Sequence, residues 1–143
     1  MKKIAFLCVI FITCLALCGH AQPKTNADKT QYLLIIRFKT DFKPSSNDVV
    51  HNNIKHWQEY MGNLAQSGSL VSGYRPAGDG LTIKGNTKAV ESTPYMANGE
   101  LVSSILIINA ESLDAAKTIA DKCPVFELGG SVEVRPVMDM TGK

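Results

Sequence analysis

Apolar residues occupy consecutive positions in two stretches of the chain, QYLLIIRFK at 31–39 and LVSSILIINA at 101–110. A strand directs successive side chains to opposite faces, so an unbroken apolar run puts apolar side chains on both faces. Such runs are typical of central strands that are covered on both sides. We therefore predict that these two stretches form the middle of a β-sheet.

A helical spacing follows the first of these strands. The turn at 41–48 leads into it, where Ser46 or Asn47 can cap a helix and Asp48 suits the positive end of its dipole. The helix is predicted to end near Gln66. Its apolar positions follow one another at steps of four and three residues, which places them on one helical face. These positions are Val50, Ile54, Trp57, Met61 and Leu64.

A second helix follows the second strong strand. Ser112 is its predicted cap and Pro124 its stop, because proline cannot continue a helix. Residues 125–130 are interpreted as a connection. The apolar residues of this helix are Leu113, Ala116, Ile119, Ala120 and Cys123.

The remaining strands are shorter. They are predicted at 69–74, at 81–85 and 88–92 around a turn, and within GGSVEVRPVM at 129–138. The order is then βαββαβ, an α+β, ferredoxin-like plan with an antiparallel sheet and two helices on one face. The last strand lies at an edge of that sheet, where Pro136 is tolerated because it need not donate to a neighbour.

Two helices cover only one face of such a sheet. Since the central strands are apolar on both faces, a second copy of the sheet is the economical cover for the other face. The pattern therefore predicts a homodimer.

The first residues of the chain have a different composition. Lys2 and Lys3 precede an apolar run at 4–17, and small residues end the segment at Ala21. This three-part pattern is typical of a secretory signal peptide, and the run is too short for a stable transmembrane span. We predict a signal peptide at 1–21 and a flexible linker at 22–30. The protein is then exported to the periplasm or the cell exterior.

Two alternatives to a cleaved signal peptide remain open. LALC, ending at Cys18, resembles a lipoprotein box, although Leu17 stands where a small residue is expected. An uncleaved membrane anchor is the other alternative.

Charge and cysteine content narrow the function classes. Loss of residues 1–21 lowers the lysine and arginine count from 15 to 13, against 13 acidic residues. A neutral domain without a basic stripe gives no indication of nucleic-acid binding. Of the 4 cysteines only Cys123 lies outside the leader, so a disulfide scaffold is excluded and a hydrophobic core must hold the domain. The spacing of possible ligands indicates no metal site and no cofactor.

The segments WQEYMGNLAQSGSLVSGYRP, AESLDAAKTIADKCP and GGSVEVRPVM resemble a known family. The chain is similar over roughly 31–140 to the YCII-related domains, also called DGPF domains. The resemblance implies a dimeric α/β barrel, in which the sheets of two chains pack face to face. The family's Asp-Gly-Pro-Phe tetrapeptide corresponds here to Ser92-Thr93-Pro94-Tyr95. Serine cannot replace the aspartate as a carboxylate base, so any activity that depends on that acid is in doubt.

Five residues are candidates for a site. His51 lies near the border of the apolar stripe and is the better candidate of the two helix histidines for a catalytic acid or base, with a solvated helix surface as the plainer interpretation. Trp57 could form a pocket wall instead of core, and Tyr74 and Tyr95 could line a pocket mouth. Arg135 shares a strand face with Glu133, either as a surface ion pair or as a contact to a partner or anion.

Three functions follow from these residues. The first is an exported domain that binds a small molecule. The second is a lyase or isomerase that uses a histidine as general acid or base. The third is an interaction module of the cell envelope without a ligand.

Overall fold

The structure, a computed structural model, describes residues 30–140. The predicted signal peptide lies outside the described residues. Two α-helices, six strands and one 3₁₀ helix, Pro124–Leu128, make up the described chain. In chain order the strands and α-helices are β1 Thr30–Lys39, α1 Asn47–Gln66, β2 Leu70–Tyr74, β3 Thr82–Lys84, β4 Ala89–Glu91, β5 Glu100–Ala110, α2 Leu113–Ala120 and β6 Ser131–Pro136.

The main sheet has four antiparallel strands in the order β2-β5-β1-β6. Together with the two helices this confirms the α+β, ferredoxin-like fold, with the two longest strands in the middle. β6 lies at an edge, and its Pro136 pairs with Tyr32 of β1. β3 and β4 form a separate hairpin that packs against none of the other elements.

One face of the main sheet holds the core. On β1 the side chains of Tyr32, Leu34 and Ile36 point to this face, and all three are buried. Alternate residues of β5 lie beside them, and Tyr60 and Leu64 of α1 cover them from above. Apolar side chains fill this interior, as the hydrophobic effect requires. The residues of β5 and α2 that complete the core are Leu106, Ile108, Ala110, Ala116 and Ala120.

The opposite face of the sheet is apolar at its centre but only half-buried. Leu33 and Ile35 of β1 lie there beside Ile105 and Ile107 of β5. Within residues 30–140, no helix lies across this face. We call it the open face. The two-sided apolar pattern of the central strands therefore leaves one surface without a cover in a single chain.

Helix α1 is rotated from the predicted orientation. Its buried residues are Asn53, Tyr60 and Leu64, whereas Val50 and Ile54 are exposed. At about 100° per residue, the buried line lies roughly 60° from the centre of the apolar stripe. This buried side carries a polar contact that sequence spacing does not reveal: the Asn53 amide donates to the Pro124 carbonyl at 2.8 Å, beside the buried Tyr60 and Leu64.

The segment after α2 also differs from the prediction. The stretch interpreted as a connection contains the 3₁₀ helix, with Pro124 in its first turn. Gly129 ends it in the left-handed conformation, at φ 70°. A side chain at Gly130 would collide with the Arg37 carbonyl and with Val125. The two glycines thus allow the 3₁₀ helix to lie directly against β1.

The two α-helices begin differently. The Ser112 hydroxyl accepts a hydrogen bond from the backbone N–H of Ala115 at 3.1 Å, as predicted for a cap. Ser46 occupies the corresponding position of α1, but its side chain makes no capping hydrogen bond. Neither helix of the described part is both long enough and apolar enough to cross a membrane.

Candidate functional site

A cavity of about 1030 Å³ lies between α1 and one end of the main sheet, partly open to solvent. Ile54, Trp57 and Met61 form its helical wall, and Phe38 and Leu101 form its wall on the sheet. Three residues of the apolar stripe of α1 therefore line this cavity. Its volume is in the range of small-molecule sites, which are concave and mostly apolar.

Small polar residues create the space beneath α1. Ser104 lies opposite Ile36 in the pairing of β1 with β5, at a position where a larger apolar residue would extend the core. The pairing is irregular at this point, and the Ser103 hydroxyl donates to the Ile36 carbonyl at 3.2 Å. Both serines line the cavity. The core thus ends where β5 changes from apolar residues to serine.

A buried asparagine connects two walls of the cavity, α1 and the 3₁₀ helix. Besides the Pro124 carbonyl, the Asn53 amide contacts the Glu127 carboxylate at 2.9 Å. Val125 and Leu128, from the same 3₁₀ helix, line the cavity. Asn53 is only 4% exposed, so its hydrogen bonds form in a place where an unpaired amide would be costly. These contacts hold the 3₁₀ helix against α1.

The mouth of the cavity carries an aromatic ring and two cations. The aromatic ring is that of Tyr95, which lines the cavity. The Lys84 ammonium, outside the lining, lies 5.7 Å from the centre of this ring and also pairs with Glu91. Lys39 and Arg75 line the cavity from the ends of β1 and β2.

A second cavity of about 690 Å³ lies on the other side of α1. The His56 ring nitrogen Nδ1 lies 2.8 Å from Glu127, and both residues line this cavity. Their side chains are 49% and 42% exposed. A pair with this much contact with water contributes little to stability, and it adds a further link between α1 and the 3₁₀ helix.

Two ionisable groups of the core have raised pKa values. Burial raises the pKa of the Cys123 thiol to about 11, because the thiolate loses hydration there. Burial also raises the pKa of the Tyr60 hydroxyl far above its ordinary value, and the nearby Cys123 adds to this effect. The Tyr60 hydroxyl donates to the Ile119 carbonyl at 3.3 Å. Both groups are therefore protonated at neutral pH and serve as packing groups.

The candidate residues lie in different parts of the molecule. Trp57 and Tyr95 line the larger cavity. His51 is exposed on α1 and lines neither cavity, and Tyr74, 63% exposed at the end of β2, lines neither as well. Arg135 lies on the open face, where its Nε is 3.7 Å from Glu133. The structure thus brings two of the five together.

Glu133 has a closer partner that strand spacing did not indicate. Arg37 of β1 donates to its carboxylate at 2.9 Å. The two residues belong to neighbouring strands and are 96 positions apart in the chain, so only the pairing of β1 with β6 brings them together. The charged face of the last strand is therefore the margin of the open face.

Sequence reasoning also missed several cavity residues. Phe38 continues the alternation of the buried residues of β1 but is 38% exposed, because the sheet ends beyond the reach of the helices. Asn53 gave no signal, since a polar residue on a helix is ordinary. Ser103 and Ser104 were visible as the interruption of an apolar strand, which is the one signal that could have located the cavity.

The fold and the cavity define the class: a ferredoxin-like α+β domain with a partly open apolar cavity between its first helix and the end of its sheet. Comparison with protein families adds one finding. Residues 30–141 match the YCII-related domain, so the chain belongs to this family. Pro94 and Tyr95, of the segment Ser92-Thr93-Pro94-Tyr95, both line the cavity. None of the curated proteins that were searched matches the chain.

No group of three or more histidine, cysteine, aspartate and glutamate side chains in residues 30–140 could hold a metal ion.

Proposed function

We propose that this YCII-related domain binds a small, mostly apolar molecule in the cavity between α1 and the end of the sheet. The observation that carries the proposal is the exposed stripe of α1. Ile54, at 50% exposure, faces an open cavity of about 1030 Å³ together with Trp57 and Met61, which are only partly buried against the core. Burial of this apolar surface by a ligand is favourable by the same hydrophobic effect that forms the core.

Binding fits the cavity better than acid–base catalysis. Among the described residues that line it, there is no carboxylate, imidazole or thiol. A general acid or base must lie within hydrogen-bond reach of the reacting proton, and these three groups are among those most often used for it. The cavity therefore gives no support to the hypothesis of a lyase or isomerase that uses His51. Ser92, in place of the family's acid, agrees with binding.

We also propose that two copies associate through the open face. Leu33, Ile35, Ile105 and Ile107 form its apolar centre, which an identical sheet would cover. The hairpin of β3 and β4 adds exposed apolar side chains, Ile83 and Val90, each 61% exposed. Exposed apolar residues on a hairpin that packs against no other helix or strand of the described chain are a further sign of a partner.

Export is the third part of the proposal. The charged start, apolar run and small residues of positions 1–21 support a cleaved leader. Mass spectrometry of the protein from membrane and soluble fractions of the producing cell tests it. A mature chain that begins at position 22 supports free export. A lipid on Cys18 would instead mean that the exported protein is anchored to a membrane.

Trp57 makes binding measurable, because it is the only tryptophan of the chain. The neutral compound 4-phenylbutanamide is titrated while tryptophan fluorescence and the unfolding temperature are recorded. We expect a saturable change in fluorescence and a rise in unfolding temperature, since a ligand stabilises the state that binds it.

Two variants of the same helix stripe provide the control. Ile54→Lys places a charge in the cavity wall and should abolish binding. Val50→Lys changes an exposed residue of the same stripe that does not line the cavity and should leave binding intact. Equal loss in both variants, or no binding to the unmodified protein, would contradict the proposal.

A further inference from the structure

We infer that the ligand of the larger cavity is an amphipathic anion, whose carboxylate is bound by Arg75 at the mouth while its apolar body lies against α1. This inference rests on the proposed binding function and adds the chemical class of the ligand.

The cavity has charge of one sign only. Lys39 and Arg75 line it, and no aspartate or glutamate within residues 30–140 does so. The chain as a whole has nearly equal numbers, 15 basic and 13 acidic residues, so a wholly cationic lining departs from the average surface. Asp41 and Asp79 lie close to Lys39 and Arg75 in the chain but do not line the cavity. Charges of one sign around a low-dielectric cavity raise the local concentration of the opposite ion.

Both cations of the lining are without a partner. In the described part of the chain, the guanidinium of Arg75 and the ammonium of Lys39 make no hydrogen bond or ion pair. Some cations elsewhere in the described residues are paired with carboxylates, among them Arg37 with Glu133 at 2.9 Å and Lys84 with Glu91 at 2.7 Å. The donors of Arg75 and Lys39 are thus available to a ligand. A guanidinium is suited to hold a carboxylate by two parallel hydrogen bonds.

The backbone restricts where Arg75 can place its side chain. Pro76 follows it and also lines the cavity. A proline disfavours helical backbone at the residue before it, so Arg75 continues the extended course of β2. Lys39 stands at the end of β1, next to Phe38 of the apolar wall. Both charges therefore lie at the solvent-exposed rim. The side chains of Trp57 and Met61 form the apolar wall that faces the sheet from α1. This arrangement suits a molecule with one charged end.

The experiment compares three compounds with the same apolar body and different ends: 4-phenylbutanoate, 4-phenylbutanamide and 4-phenylbutylamine. Their dissociation constants are measured at low salt by Trp57 fluorescence. We expect the carboxylate to bind about tenfold more tightly than the amide, and the ammonium more weakly than either. In Arg75→Gln the carboxylate should bind no more tightly than the amide, while the affinity for the amide stays the same. Lys55→Gln, which removes a charge from an exposed position of α1 outside the cavity, should keep the preference.

The outcomes separate the two proposals. Equal affinities for the three compounds would overturn the anionic class and leave the apolar cavity as a binding site. A preference for the carboxylate that persists in Arg75→Gln would overturn the role of Arg75. Absence of binding by all three compounds would overturn the proposed function and this inference with it.

Discussion

The two faces of the main sheet are built from the same two strands but have different surroundings. On the covered face Leu34, Ile36 and Ile108 have no exposed surface, while on the open face Leu33 and Ile107 remain half-buried. The residue types are alike, so composition does not explain the difference. What differs is the position of the helices of residues 30–140, which lie on one side of the sheet. An apolar strand therefore indicates a need for cover but does not determine which segment supplies it.

The margins of the two faces differ as well. The covered face ends in serines and a cavity, at Ser103 and Ser104, whereas the open face ends in the charged pair of Arg37 and Glu133. The first margin suits a small molecule. The second suits a boundary with water around an apolar contact, because such interfaces have a polar rim.

The largest expected effect belongs to the covered face. Leu34→Ala should lower the free energy of unfolding by about 2–5 kcal/mol, because it leaves a void in a closed core. Leu33→Ala, on the open face of the same strand, should cost clearly less when urea unfolding is measured in protein dilute enough to exclude association. Equal losses in dilute protein would mean that the open face is already covered within one chain.

The next effect concerns association. Ile107→Asp places a carboxylate in the centre of the open face and should convert a dimer to a monomer in sedimentation at micromolar concentration, because a charge without a partner is costly to bury. Lys117→Asp, on the exposed side of α2, changes charge in the same direction away from that face and should leave the dimer intact. A native protein that sediments as a monomer at this concentration contradicts the proposed dimer.

A moderate effect is expected when the contact between α1 and the 3₁₀ helix is removed. Asn53→Ala should lower the free energy of unfolding by about 1–3 kcal/mol, because the Pro124 carbonyl and one Glu127 oxygen lose their donor. It should also weaken binding in the cavity, whose wall includes the 3₁₀ helix. Asn52→Ala, at the exposed neighbouring position, is the control, with a change within about 0.5 kcal/mol. Similar losses in the two variants would show that the network does not hold the walls.

The covered face should also be sensitive to alkali. The pKa of Cys123 is raised from 9.0 to about 11, so the folded state holds this proton more tightly than the unfolded state does. Its contribution to stability is complete below pH 9 and is lost as the pH rises through 11. The urea midpoint should therefore fall between these pH values, and fall less steeply in Cys123→Ala. An unchanged slope in the variant would assign the alkaline loss to other groups, Tyr60 among them.

The smallest effect is expected at the outer surface of α1. His51 is exposed and makes no hydrogen bond within residues 30–140, so His51→Ala should change the free energy of unfolding by less than about 0.5 kcal/mol. It should also leave the affinity for 4-phenylbutanamide unchanged. Loss of binding in this variant would revive a functional role for the histidine.

Much of the fold was predictable because its signals are local. The alternation in β1 and β5, the Ser112 cap and the edge proline each depend on a few neighbouring residues, and all three have the predicted place in the structure. The orientation of α1 was not predictable in this way. Its hydrophobic spacing defines a stripe, but the side that is buried also contains Asn53 and Tyr60, which contact Pro124 and Ile119 far along the chain.

The same limit applies to the site. Trp57 and Tyr95 could be proposed as pocket residues from their type alone, yet nothing local distinguished them from Tyr74, which lines neither cavity. Arg75 and Lys39 are ordinary surface cations in the sequence. They line the same cavity only because β1 and β2 both end beside it.

Periodicity, capping and turn residues act over a few positions of the chain, so the α-helices, the strands, their order and the family could be predicted from the amino-acid sequence alone. Only the tertiary structure decided which side of α1 enters the core, where the cavity opens and which charges lie beside it. The physical reason is that a helix can rotate about its axis without changing its own hydrogen bonds. Its final angle is therefore set by contacts with segments far away in the chain.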